Sequence, residues 1–326
     1  MKKQLSGWAV KRLSARIFLL SLICLSAQLL NRFSSWAGNS AKGTSAANFL
    51  KITPGARAAA LGGGMVGAAD DAGSLFDNPA GLARLAQPQL SVSHLSYFQS
   101  INFNYLGFAL PLASKTQALG FSITSLGVDN IEKRSGDTDV ADGKFEAADY
   151  AYQLSYGRNM SKGVSAGASI KGIRERIDTV TASALAVDLG VHWARSESVW
   201  RGFGVSVRQI GQKMKFSNVS DPLPLVISAG ANARILGDHL NIVVDANAPR
   251  DRDPYMSFGG EFSFMAGQKL GLAARAGYSG FLQKVDGRHN LSLGFGLSLD
   301  PMSFDFAWVP YGDLGNTFRY SLLVRF

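Results

Sequence analysis

The 326-residue chain is 46% hydrophobic and 17% charged, with 36 glycines and a formal net charge of +9. Soluble domains carry roughly 25% charged residues and about 7% glycine, so this balance suits an apolar outer surface. The charge does not mark a nucleic-acid binder: residues 1–37 hold six lysines and arginines and no acid, leaving +3 of the +9 for the rest, with no basic helix or stripe.

Lys2, Lys3, Lys11, Arg12 and Arg16 precede a 14-residue apolar run, Ile17 to Leu30, and Ser35-Trp36-Ala37 has the small-x-small form of a cleavage site before Gly38. This predicts a secretory signal over residues 1–37. The run is shorter than the roughly 20 residues of a spanning helix, and no later stretch reaches 18 apolar residues. The one cysteine, Cys24, lies inside the signal, so the 289 residues from Gly38 onward offer no disulfide or thiol chemistry.

Residues 38–88 are read as a lead and a lumen plug. Gly38 to Ala47 is small and polar. Asn48 to Leu85, NFLKITPGARAAALGGGMVGAADDAGSLFDNPAGLARL, holds seven glycines, is largely apolar and does not alternate. Ala56–Leu61 and Ala80–Leu85 favour helix, while Gly62–Gly64 and Asn78-Pro79 interrupt it, so short helical pieces joined by breaks are expected.

From residue 89 to 326 apolar and polar residues alternate with period two, as in Leu291, Leu293, Phe295, Leu297 and Leu299 against Ser292, Gly294, Gly296 and Ser298. About fourteen such segments are legible: 89–97, 103–111, 116–126, 146–157, 163–175, 182–194, 200–209, 223–234, 238–247, 255–266, 268–278, 289–299, 301–309 and 317–326. An even number of strands near the 9–11 residues that cross a bilayer at a tilt predicts a transmembrane antiparallel β-barrel.

The connections agree. Links after even-numbered strands are short, whereas Gly127–Phe145, Ile210–Pro222, Ser279–Arg288 and Pro310–Asn316 are long. That asymmetry predicts short periplasmic turns opposite long outer loops, with both chain ends on the short-turn side. A soluble β-sandwich also alternates. Strand length, aromatics near strand ends such as Tyr97, Trp193, Trp200 and Trp308, and the terminal Phe326 favour the barrel.

Chemistry-bearing motifs are few. Gly62-Gly63-Gly64-Met65-Val66-Gly67 matches G-x-G-x-x-G but lacks a preceding strand and an acid about twenty residues on, so close-packed or flexible backbone is the better account than a nucleotide cofactor. Asp70, Asp71 and Asp77 do not have calcium-loop spacing. His94, His192, His239 and His289 fall in separate segments, and there is no G-x-S-x-G. No cofactor, metal site or catalysis is expected. Inward positions mix small residues (Gly190, Gly204, Gly259, Gly271, Gly277, Gly294, Gly296) with both charge signs (Asp188, Arg208, Arg234, Asp245, Glu261, Arg275, Asp305, Arg319, Arg325). Either these charges pair among themselves, or the space holds the Asn48–Leu85 stretch.

Phe49-Leu50-Lys51-Ile52, Gly55-Ala56-Arg57-Ala58, Leu61-Gly62-Gly63, Ala69-Asp70-Asp71-Ala72 and Asn78-Pro79-Ala80-Gly81-Leu82 resemble the opening of the PorV/PorQ outer-membrane proteins, themselves similar to FadL transporters. The resemblance implies an outer-membrane barrel of a Gram-negative-type bacterium, placed in lipid by the outer-membrane insertion machinery, for which Phe326 resembles the signal. It implies Gly62, Gly63, Gly64, Asp70, Asp71, Asn78, Pro79 and Ala80 as plug or gate residues. PorV-like function, binding partner proteins of type IX secretion or envelope assembly, is the first expectation. FadL-like transport of hydrophobic molecules, with a hatch and a lateral opening at a kinked strand, is the alternative.

Overall fold

The computed structural model describes residues 43–98, 100–113, 116–195, 198–282 and 290–326. The expected signal over 1–37 and His289 lie outside the described residues.

Fourteen antiparallel strands close into a barrel: β1 (Gln89–Ser96), β2 (Asn102–Pro111), β3 (Gln117–Lys133), β4 (Gly143–Ser161), β5 (Val164–Ile177), β6 (Val180–Ala194), β7 (Trp200–Gly211), β10 (Val226–Ile235), β11 (Leu240–Pro249), β12 (Tyr255–Ala266), β13 (Leu270–Ser279), β14 (Leu291–Leu299), β15 (Met302–Pro310) and β16 (Asn316–Arg325). Between β7 and β10 a small separate hairpin forms from β8 (Met214–Phe216) and β9 (Val219–Asp221). Closure runs through β1 against β16, from Gln89↔Arg325 to Ser96↔Phe318. Every barrel strand therefore has two partners, as lipid requires of any sheet that crosses it.

The alternation sorts side chains by solvent. Leu291, Leu293, Phe295, Leu297 and Leu299 are exposed on the outside of β14 while Ser292 is buried within. On β16, Phe318, Tyr320 and Leu322 face out, Thr317, Arg319 and Ser321 face in, and Phe326 lies exposed at the strand end with its N–H on Pro88 O at 3.0 Å.

Three expectations are corrected. Gly127–Phe145 is mostly strand rather than loop: pairing resumes past an irregularity between Val128 and Ile131, where Asn130 has φ 59°, and runs to Lys133↔Gly143. This part of the hairpin is polar, so no apolar row marked it. The 210–222 link is partly ordered as β8–β9, with Met214 fully buried. The first and last described residues do not share a rim. Phe326 meets Pro88 at the short-turn rim, but Gly43 N–H bonds Asp251 O (3.2 Å) and Ala46 N–H bonds Pro222 O (3.0 Å), both in connections at the opposite rim.

Weak alternation in β1 also has a cause. Leu95 points inward at 0% exposure beside Phe103 and Tyr105, against Ile52 and Leu126, so this part of the lumen wall is apolar.

Candidate functional site

Residues 43–85 fill the barrel. The stretch comprises two 3-10 turns, Asn48–Lys51 and Pro79–Arg84, and two short helices, Ala56–Ala60 and Ser74–Asp77. Irregular backbone at membrane depth is stable only if protein groups satisfy its N–H and C=O. Inward side chains do this: Ser321 Oγ accepts from Ala56 N (2.8 Å), Asp245 Oδ2 from Val66 N (2.9 Å) and Gln89 Oε1 from Ala72 N (2.9 Å), while Gln153 Nε2 donates to Leu75 O (2.6 Å) and Asn159 Nδ2 to Ala83 O (3.1 Å).

Glycines on nine strands give the plug room, against its backbone or its side chains: Gly120, Gly157, Gly167, Gly190, Gly204, Gly230, Gly259, Gly277 and Gly294. A Cβ at Gly277 would lie 2.2 Å from Gly62 N, one at Gly190 2.0 Å from Asn78 Oδ1, and one at Gly204 2.1 Å from Val66 O. Together they form an inward belt on which the plug rests. Gly271 and Gly296 lie off it; Gly296 instead makes room for Asp305 and Arg275.

The sequence-nominated plug residues take distinct places. Gly62 and Gly63 have φ of 71° and 84°, a left-handed break that ends the Ala56–Ala60 helix; Gly64 lies beside Val243 of β11. Asn78 is fully buried and caps the turn that begins at Pro79, its Oδ1 accepting from Ala80 N at 3.2 Å. Its Nδ2 donates to Val66 O (3.3 Å) and Val191 O (3.1 Å), tying two plug segments to β6. Pro79 rests on Gly167, and Ala80 has no exposed surface.

Asp70 and Asp71 converge on a residue outside the nominated plug or gate set. Arg57 Nη1 donates to Asp70 Oδ1 (2.7 Å) and Asp71 Oδ2 (2.9 Å), and its Nε and Nη2 grip Glu261 of β12 at 2.9 and 3.0 Å. Glu261 also accepts from Arg275 (2.6 Å), which holds Asp305 at 2.7 Å, and Arg234 reaches Asp70 at 3.5 Å. Burial would depress the Arg57 guanidinium, but Asp70, Glu261 and Asp71 together hold it well above its ordinary value. Its one sequence signal is a lone charge within GARAAAL. Among the described residues no group of three or more histidines, cysteines or carboxylates is arranged to hold a metal.

Between the first turn of the plug and its remaining segments, a chamber of about 560 Å³ lies toward the long-loop rim. Residues 46–49 and 51–53 border it on one side and Ala59, Gly62, Gly63, Phe76 and Asp77 on the other, with Tyr97, Phe216, Tyr255, Phe281 and Tyr311 around it. The roof is anchored where Phe49 and Leu50 meet inward Ala151, Ile173, Ala182, Ala184 and Ala186, together with Met214 and Leu223. The chamber's cations are engaged: Lys51 with Asp251, Arg319 with Thr53 O (2.6 Å), and Arg208 with Phe76 O (3.2 Å). Burial pushes the Asp77 carboxyl up to about 7, with Arg208 opposing only in part.

The barrel wall is paired throughout β3 at plug level, from Asn102↔Gly127 to Pro111↔Ala118 on one side. A register irregularity falls instead between β6 and β7 at Val187/Leu189, where Gln209 (φ 58°) donates its N–H to Asp188 Oδ1 at 2.8 Å.

No curated protein matches the chain in sequence. Among solved structures it is similar to the Ralstonia pickettii toluene transporter TbuX (13% identity, TM-score 0.58, spanning 83% of this chain and 98% of that one). It is also similar to a Pseudomonas aeruginosa FadL homologue (12%, 0.55, 84% and 98%) and to the Pseudomonas putida toluene transporter TodX (10%, 0.52, 82% and 95%). At these identities the likeness establishes a FadL-type β-barrel fold. The match to a sequence-family model over residues 30–205, more than half of the chain, places the protein in the uncharacterised protein family UPF0164.

Proposed function

We propose that the protein transports uncharged hydrophobic small molecules across the outer membrane of a Gram-negative-type bacterium, receiving them in the aromatic-lined chamber at the long-loop end of the plug. The chamber carries this reading. Its volume falls in the roughly 300–1,000 Å³ range of small-molecule sites, and Phe49, Phe76, Tyr97, Phe216, Tyr255, Phe281 and Tyr311 line it. Its cations already hold protein partners, and Asp77, Asp149, Glu175 and Asp221 line the same space, which favours a neutral ligand over a carboxylate. The toluene transporters named among the structural neighbours support the same direction. A role in binding and passage rather than catalysis is part of the proposal, as are lipid, and the insertion machinery at Phe326, as partners.

Equilibrium binding of toluene and of a long-chain fatty acid to the detergent-solubilised full chain tests it. Saturable toluene binding, weaker for the fatty acid and lost in Phe76→Asp, is expected. Absence of toluene binding overturns it.

The PorV/PorQ reading, partner binding in type IX secretion, has one feature in its favour: the polar β3–β4 hairpin, paired to Lys133↔Gly143 beyond the apolar rows. The comparisons support transport better. Secreted proteins co-purifying with the barrel, in the absence of toluene binding, would reverse that order.

A further inference from the structure

Three cavities lie in series through the lumen. The upper chamber shares Asp77 with a small cavity of about 50 Å³. The small cavity shares Arg57, Asp71, Asp305 and Leu323 with a third, of about 510 Å³. The third includes Gly237, Asp238 and His239 from the β10–β11 connection and Arg325 at the end of β16, which places it at the short-turn rim. The small cavity runs between the plug residues Pro54–Ala58 and an inward wall of Ser91, Tyr105, Asp305, Ser321 and Leu323. It has room for a few waters and a polar lining to hold them.

Arg57 stands where the small cavity meets the lower one. Among the described residues it is the only cation lining the small cavity, and its guanidinium is clamped from the plug side by Asp70 and Asp71 and from the wall by Glu261. Four carboxylates (Asp70, Asp71, Glu261, Asp305) face three guanidiniums (Arg57, Arg234, Arg275) in this network. Without Arg57 the excess of negative charge grows in a confined, poorly screened space, where field strength favours cations.

We infer that the barrel contains a cation-selective passage along its β15–β16–β1–β2 wall, joining the two rims past Asp77 and Ser91, and that the ion-paired Arg57 side chain is the bolt that keeps it shut. This path differs in cargo from the hydrophobic route proposed above. It stands whether or not the upper chamber binds toluene, resting only on the barrel spanning the bilayer.

The full chain reconstituted in planar bilayers tests it, with heat-modifiable gel migration confirming a folded barrel for each variant. Wild type is expected to stay silent. Arg57→Ala is expected to gain discrete openings whose reversal potential in a KCl gradient moves toward that of potassium. Arg57→Ala combined with Ser91→Phe, which fills the small cavity from the wall, is expected to lose them. A folded Arg57→Ala barrel that stays silent, openings selective for chloride, or openings that persist in the double variant would each overturn the inference. Toluene binding by the same Arg57→Ala protein reports separately on the transport reading.

Discussion

Substituting Gly277 with valine should lift the plug from its seat. An ideal Cβ there lies 2.2 Å from Gly62 N, 2.4 Å from Leu61 C and 2.6 Å from Ala60 O. All three are backbone atoms, so no rotamer change relieves the overlap and the plug itself must shift. Overpacking of this kind costs about 1–3 kcal/mol, which corresponds to roughly a 5–150-fold larger undocked population. Gly271 on the same strand is a matched control, because its nearest neighbours are Ser298 Cβ at 3.3 Å and Met265 Sδ at 3.6 Å and none belongs to the plug. Trypsin reads the outcome, since Lys51, Arg57 and Arg84 all lie within the plug. Cleavage at these sites should accelerate in Gly277→Val and not in Gly271→Val, with the barrel still resistant to heat in detergent. Equal protection of the plug in Gly277→Val and wild type would refute the belt as the plug's seat.

Three further outcomes are expected. The Asp77 carboxyl is raised from 3.8 to about 7, so its contribution to plug docking is complete below about pH 4 and is lost as pH rises to about 7, a difference of up to about 4 kcal/mol; trypsin protection should fall from pH 5 to 7 and level off above it in wild type, and Asp77→Asn should flatten that slope. Phe49, 3% exposed against Met214 and Leu223, should cost about 3–5 kcal/mol when cut to alanine; faster hydrogen exchange confined to residues 43–53 would show this, and unchanged exchange would deny it. Phe295, 44% exposed between Ala274 and Phe306, should cost roughly 2–4 kcal/mol as arginine if it faces lipid; an unaltered urea midpoint for folding into vesicles would place that row elsewhere.

Much of the barrel was readable because lipid outside and a polar lumen inside impose a two-residue period that any strand spanning both must carry. Leu291–Leu299 and Asn316–Arg325 show it residue by residue. Where the outer solvent changes, the signal ends: the β3–β4 pairing beyond Gly127 needs no apolar row, so the same ladder read as loop. β1, expected over 89–97 and formed over Gln89–Ser96, alternates weakly for the converse reason, since Leu95 faces Ile52 rather than water.

The inner site was legible in composition and not in assignment. Inward glycines could be counted, but only barrel register separates Gly277, against Gly62, from Gly296, which accommodates an ion pair. Arg57 is four residues before Leu61 in sequence, yet its partner Glu261 is 204 residues away. Phe49 and Leu50 likewise find Ala182 and Ala184 across a lumen that exists only once fourteen strands have closed. The sequence by itself determined which residues would face lipid, because that follows from local period and solvent. The partner of each buried charge and the place of each glycine were decided by the tertiary structure alone, because strand register and closure bring together residues that no local rule relates.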